Sequence, residues 1–155
     1  MKRVSNLFTL ALIGLISVSC TQKKNDVEEV TSSIIPGSVE DFNQNVSNTV
    51  YFGFDRYNLI TEAEDVLRQV AAWLNMYKFT SVTVQGHTDK RGTKEYNIGL
   101  GGRRAESVKK FLVANGVDDG RISTISYGKE MLIADGDSEQ DHALNRRAHV
   151  VVVGK

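Results

Sequence analysis

Between residues 61 and 76 the apolar positions are Ala63, Val66, Leu67, Val70, Ala71 and Leu74. They step by three, one, three, one and three, which lays them along one face of an α-helix. The spacing of Thr61-Glu62-Ala63-Glu64 predicts a capping box, with the Thr61 hydroxyl as cap and Glu64 reaching back. Residues 96–114 predict a second helix, with Ala105, Val108, Phe111 and Leu112 facing inward. Asn115-Gly116 ends it in a left-handed cap, and Val117 supplies the accompanying apolar contact. Residues 46–54 carry Val50, Tyr51, Phe52 and Phe54 and read as a strand. Residues 81–86 alternate as a strand and residues 121–127 read as a third. Residues 148–153 form a fourth, whose run of valines implies cover on at least one face. The order β-α-β-α-β-β predicts an α+β fold, a small sandwich with a mixed sheet and two main helices on one face.

The first 45 residues show no such pattern. Lys2 and Arg3 precede a largely apolar, uncharged run over residues 7–18. A membrane-spanning helix needs roughly 20 apolar residues, so this run fits the core of an export signal instead. It ends at Ser17-Val18-Ser19-Cys20, and Cys20 is the only cysteine of the chain. A lone cysteine directly after such a run resembles the lipobox of bacterial lipoproteins, where the thiol is acylated and becomes the first mature residue. Ser19 fits that pattern, while Ser17 stands where leucine is usual. Residues 1–19 are therefore expected to be a lipoprotein signal peptide, and residues 20–45 a lipidated Cys20 with a flexible tether. Residues 46–155 are expected to form one domain. A tether of roughly 25 residues reaches up to about 80 Å when extended.

Charge narrows the partners. The chain has 19 Lys+Arg and 19 Asp+Glu, and loss of the signal removes Lys2 and Arg3, leaving a small net negative charge. No basic footprint for nucleic acid is present. His87, His142 and His149 have no metal-ligand spacing and no cysteine partner, so no metal and no cofactor are expected. A short G-x-G at residues 99–101 follows no strand in the dinucleotide pattern.

The chemistry concentrates in Gly86 to Ala105, GHTDKRGTKEYNIGLGGRRA. Asp89 lies in a polar turn before the second helix. Asn97, Gly101 and Arg104 share one face near the helix start, beside Leu100. A helix start favours an anionic group. An arginine can grip a carboxylate with two parallel hydrogen bonds, and a carboxylate can hold an ammonium. A ligand with both groups on one carbon would satisfy Asp89 and Arg104 together. Taken singly, each has a structural reading, Asp89 as a brace of its turn and Arg104 as a solvated arginine. Arg103, Arg146 and Arg147 read as partners of carboxylates, and His87 as a hydrogen-bonded residue at a strand end.

This block closely resembles the peptidoglycan-associated lipoproteins of the OmpA C-terminal-like family. The match extends through Tyr51-Phe52-Gly53-Phe54-Asp55, Tyr127-Gly128-Lys129-Glu130 and Asn145-Arg146-Arg147-Ala148, roughly residues 50–153. The resemblance implies a non-catalytic domain that binds the diaminopimelate of the peptidoglycan stem peptide. It implies ligand contacts at Phe54, Asp55, Asp89, Asn97, Leu100 and Arg104. It also implies attachment to the outer membrane through lipid on Cys20, with the domain in the periplasm, and work with the Tol-system proteins in envelope integrity and cell division. Thr21 is not the aspartate that holds enterobacterial-type lipoproteins at the inner membrane, which agrees with the outer membrane. An OmpA-like lipoprotein outside the Tol system, a structural tether or an adhesin, would share the same site. A cell-wall hydrolase would need a zinc site, a catalytic cysteine or two opposed carboxylates. Only Asp55 and Asp89 offer such a pair, and a neighbouring arginine would keep Asp89 ionised. One departure stands out: Gly102 occupies the position where the family usually has glutamate.

Overall fold

The computed structural model describes residues 34–153. The expected signal peptide, Cys20 and the first part of the tether lie outside the described residues. Four strands form one mixed sheet in the order β1-β4-β2-β3. They are β1 (Thr49–Tyr51), β2 (Ser81–His87), β3 (Ile122–Gly128) and β4 (Arg147–Val153). β2 runs parallel to β3 and antiparallel to β4, and β4 is antiparallel to β1. Helices α1 (Val39–Asn45), α2 (Thr61–Met76), α3 (Lys94–Ala114) and α4 (Glu139–Asn145) join them. This is the expected α+β architecture, with two main helices carrying the core.

The core follows from the two periodicities. Ala63, Leu67, Val70, Ala71 and Leu74 of α2 are buried, as are Ala105, Val108 and Leu112 of α3. They meet alternate residues of the central strands, Val82 and Val84 on β2 and Ala148, Val150 and Val152 on β4. The intervening His149 and Val151 are half-buried, so the valine run of β4 has one covered face. α3 ends as its sequence predicts. Gly116 takes φ +91°, its N–H donates to the Val113 carbonyl at 3.0 Å, and the Val117 N–H donates to Leu112 at 3.1 Å. Val117 is buried beside them.

Three expectations are corrected, the first being the strand expected over residues 46–54, which is only Thr49–Tyr51, with Phe54 in the turn beyond it. Residues 20–45 were expected to be tether, yet Val39–Asn45 is helical and belongs to the domain. Its anchor is Phe42, fully buried with its ring 4.8 Å from that of Trp73. The Trp73 indole donates to Asp41 at 3.0 Å, and the Ser38 hydroxyl caps the helix start. Two apolar residues in seven, Val39 and Phe42, give no readable period. The Thr61–Glu64 capping box does not form. Ile60 holds the extended cap position and Thr61 is already helical, so no side chain caps α2. Glu64 instead pairs with Arg68 at 3.0 Å. Finally, α4 was not foreseen. It starts at a capping box of Ser138 with Asp141.

The approach of α3 to β2 fixes the site. A Cβ added to Gly86 would lie 1.9 Å from the Gly101 carbonyl oxygen, and one on Gly101 would lie 2.9 Å from the Gly86 oxygen. Helix backbone therefore rests directly on strand backbone at this point. By contrast, a Cβ on Gly102 would meet only Ser126 at 3.9 Å. Gly86→Ala should cost about 2 kcal/mol or more through forced separation. Gly102→Ala should add about 0.5–1 kcal/mol through helix entropy. Urea unfolding midpoints of the two variants check this, and equal midpoints would refute the close-approach account.

Candidate functional site

At the end of β2 the register with β3 shifts, Gly86 facing Ser126 and His87 facing Gly128 with φ +51°, so that Tyr127 is the extra residue of a bulge. Bulges re-aim the chain beyond them. Here the chain turns through Thr88 and Asp89, and the Thr88 N–H donates to the Gly128 carbonyl at 2.8 Å. The Thr93 hydroxyl then caps α3 by accepting from the Tyr96 N–H at 3.2 Å. Between this turn, the start of α3 and the loop after β1 lies a cavity of about 270 Å³. All six residues proposed from sequence line it: Phe54, Asp55, Asp89, Asn97, Leu100 and Arg104. Thr88, Arg91, Gly92, Tyr96 and Arg146 complete the lining.

Asp89 is buried. Its Oδ1 accepts from the Arg91 backbone N–H at 3.1 Å, and its Oδ2 from Arg91 Nη2 at 2.7 Å and Arg146 Nη1 at 3.4 Å. Burial pushes the carboxyl up, but the Arg91 hydrogen bonds and charge, with Arg146, more than offset it. The group is held below its ordinary value of 3.8 and is ionised at neutral pH. Its direct cations are thus Arg91 and Arg146.

Arg104 is 0 % exposed. Its Nε donates to the Arg56 carbonyl at 2.8 Å, Nη1 to His87 at 2.7 Å and Nη2 to Gly53 at 3.1 Å. Its guanidinium lies 5.2 Å from the centre of the Phe52 ring. Three of five N–H groups are committed to backbone, so the alternative reading of Arg104 as a solvated arginine does not hold. Burial, reinforced by the Arg146 charge, brings its pKa down to about 10, and it stays charged. Asn97 is likewise a builder: its Nδ2 donates to the carbonyls of Arg91 at 2.8 Å and Thr93 at 2.9 Å. Leu100 supplies an apolar wall.

The rim is softer. Phe54 is 61 % exposed and lies 4.4 Å under the Arg91 guanidinium. Asp55 takes φ +53° and accepts a hydrogen bond from the Tyr96 hydroxyl. Arg91 and Tyr96 were missed as lining residues. The available signal was Arg91 two residues after Asp89, where an aspartate accepts from the backbone of its own turn. Of the remaining arginines, Arg146 does pair with carboxylates, Asp89 and Glu139, the latter at 2.8 Å. Arg147 donates instead to the carbonyls of Asn145 and Met131. Arg103 sits exposed with its guanidinium 5.5 Å from the centre of the Tyr57 ring. Among the described residues, no group of three or more His, Cys, Asp or Glu is placed to hold a metal ion.

His87 closes β2 as expected but is not hydrogen-bonded through its ring. Both ring nitrogens are buried with no hydrogen-bond partner, and the ring stacks on Tyr127 at 5.4 Å.

The fold is that of the OmpA C-terminal-like domains, and the cavity sits at one end of its central strand. The chain belongs to the OmpA family, whose profile matches residues 51–146. Its relatives over nearly the whole chain are peptidoglycan-associated lipoproteins. That of Pasteurella multocida is 44% identical over 149 residues, 96% of this chain and 97% of that protein. That of Mesorhizobium japonicum is 37% identical over 96% of this chain and 93% of that protein. The crystal structure of the peptidoglycan-associated lipoprotein from Burkholderia pseudomallei superimposes with a TM-score of 0.68 at 40% identity, over 69% of this chain and 91% of that one. The cell wall anchor of the type VI secretion system from Pseudomonas aeruginosa shares the fold at 24% identity, with a TM-score of 0.63 over 78% of this chain and 100% of that one. Among the described residues, no helix is long and apolar enough to cross a membrane.

Two outcomes follow from this geometry. Arg104→Ala leaves three carbonyls without their donor, and each unsatisfied buried group costs about 1–3 kcal/mol. The variant should lose several kcal/mol by denaturant unfolding, and Arg104→Lys should recover only part, because one ammonium cannot span the fork. Wild-type stability in both would show the guanidinium is dispensable to the fold.

Burial first, then the charges of Arg147 and His149, lower His87 from 6.5 to about 4. Between those values the unfolded chain binds the proton and the folded chain does not. The His87 contribution to stability should therefore be full above pH 6.5, fall by on the order of 3 kcal/mol as pH drops towards 4, and change no further below. Unfolding free energies at pH 7.5 and 4.5 test this. His87→Phe should flatten the slope, and an unchanged slope would assign it elsewhere.

Proposed function

We propose that this chain is a lipid-anchored outer-membrane protein that binds peptidoglycan non-covalently, without catalysis, and so ties the membrane to the wall. Its ligand is the amino-acid end of diaminopimelate in the stem peptide. The observation that carries this reading is the ionised, buried Asp89 facing a cavity whose lining holds three guanidinium groups against two carboxylates. Such a lining, beside the start of α3, suits a ligand with one ammonium and one carboxylate. Asp89 and Asp55 are the acceptors for the ammonium. The carboxylate finds the guanidinium groups and the helix start. Leu100 and Phe54 flank the aliphatic chain.

Because Asp89 is already hydrogen-bonded and Arg104 already fixed, little ordering is needed on binding, which favours affinity from few contacts. Ionised Asp89 fits an ammonium receptor and does not suit a general acid. Kinship with the peptidoglycan-associated lipoproteins supports the wall ligand, the lipid on Cys20 and a role beside the Tol proteins in envelope integrity and division.

The test is sedimentation of residues 21–155, which contain every described element, with purified peptidoglycan. Phe54→Ala and Arg91→Ala are the variants of choice, since both side chains are partly exposed and their loss spares the core. Each should weaken pelleting about tenfold, as for loss of a charged or stacked contact of roughly 1.4 kcal/mol. Free meso-diaminopimelate should release the protein, and cadaverine, a diamine of similar length with no carboxylate, should not. Release by neither, with the fragment folded, would remove the zwitterion reading. A pull-down from envelope extract decides whether Tol proteins accompany it.

A further inference from the structure

The end of β2 away from the cavity carries the most exposed apolar side chains of the domain. Phe79 is 89 % exposed, Ile35 73 % and Met76 72 %, with Val153 beside them at the end of β4. Two shallow clefts share Pro36, Gly37 and Thr80 and join these residues into one surface. Lys78 and Glu40 lie along it. An apolar surface of this kind marks a contact.

The turn presenting it is held firmly. Arg121 donates through Nε to the Thr80 carbonyl at 2.8 Å and through Nη2 to Leu74 and Tyr77, each at 2.9 Å. The chain comes in against the ring of Tyr77, where a Cβ on Gly37 would lie 2.7 Å from it. Phe79 and Met76 thus point outward from a braced scaffold.

Two facts choose the occupant. The described residues begin at this surface, with Ile34 and Ile35, and Cys20 is 14 positions upstream. Fourteen residues extend to at most about 46 Å and as a coil reach about 20 Å. A lipid on Cys20 therefore keeps this surface close to the bilayer. The intervening segment, residues 21–33, offers only Val27 and Val30 as apolar side chains, too few to cover it.

We propose that this surface rests on the phospholipid bilayer, with Phe79 and Met76 in the headgroup–acyl boundary and Lys78 at the phosphates. This rests on the proposed lipid attachment at Cys20. Orientation follows. β2 has seven residues, a span of about 20 Å, with the apolar surface at its start and the Asp89 turn just past its end. A domain seated on lipid by the first end turns its cavity towards the wall.

The experiment places the lipidated protein in vesicles of phosphatidylethanolamine and phosphatidylglycerol containing a brominated phosphatidylcholine. The indole introduced by Phe79→Trp should be quenched, while Trp73, buried and the only native tryptophan, should not. No quenching in protein that stays on the vesicles overturns the proposal. In parallel, residues 21–155 without lipid should bind the same vesicles weakly, and a Met76→Ser, Phe79→Ser variant at least about tenfold less. Both forms should still pellet with peptidoglycan. If the full-length protein fails to anchor, the lipid reading of Cys20 fails, and the unlipidated pair alone decides the surface. Equal binding by that pair, or a dimer in sedimentation velocity that the double substitution dissolves, overturns it.

Discussion

A guanidinium group buried between three chain segments holds the cavity beside Asp89 open. Arg104 ties the end of β2, through the His87 carbonyl, to the loop after β1, through Gly53 and Arg56. Burying such a charge is costly, and single hydrogen bonds would not offset it. Here three carbonyls share it, and the charges of Asp89 and Asp55 add support. The arrangement is possible only because α3 reaches β2 backbone to backbone at Gly101 and Gly86. Any side chain there would lift the helix and withdraw the guanidinium from its partners. The glycine contact and the buried arginine are thus one device.

The same device explains what the sequence could and could not show. α2, α3 and the strands were legible because they bury alternating or helical faces, and burial writes a period into the chain. α1 and α4 are seven residues each and bury only Phe42 in the first and the polar His142 and Asn145 in the second, so no apolar period forms. Asn145 works by holding the loop before α4, accepting from Ile133 at 2.8 Å and donating to Ala134 at 2.6 Å. Thr61 shows the opposite failure, a motif with the right letters one position inside the helix.

The six proposed site residues all reach the cavity, but their division of labour was not legible. Sequence gives charge and order, and it cannot say which arginine meets which oxygen. Asp89 and Arg104 were read as two halves of a clamp. In the structure, Asp89 is set by Arg91 and Arg146, while Arg104 builds the wall behind them. Asp89 accepts four contacts, three from Arg91 and one from Arg146, about as many as an ionised carboxylate has acceptor positions, so an ammonium would take the place of the longest, those of Arg91 Nε at 3.3 Å and Arg146 Nη1 at 3.4 Å. Pre-pairing therefore fixes the carboxylate, and a partly exposed Arg91 is the partner able to give way to a ligand.

Gly102 can be weighed on the same terms. Gly101 and Arg104 face the sheet, whereas Gly99, Gly102 and Arg103 lie on the turn's outer side. Nothing presses on Gly102, and the neighbouring Arg103 rests over Tyr57. Arg147 is settled by the carbonyls of Asn145 and Met131. The missing glutamate thus costs helix entropy on an outer face and leaves the inward constellation as it stands. Positions one residue apart on α3 answer to different constraints: backbone contact at 101, propensity alone at 102. A helix that carries a site on one stripe can vary freely on the next.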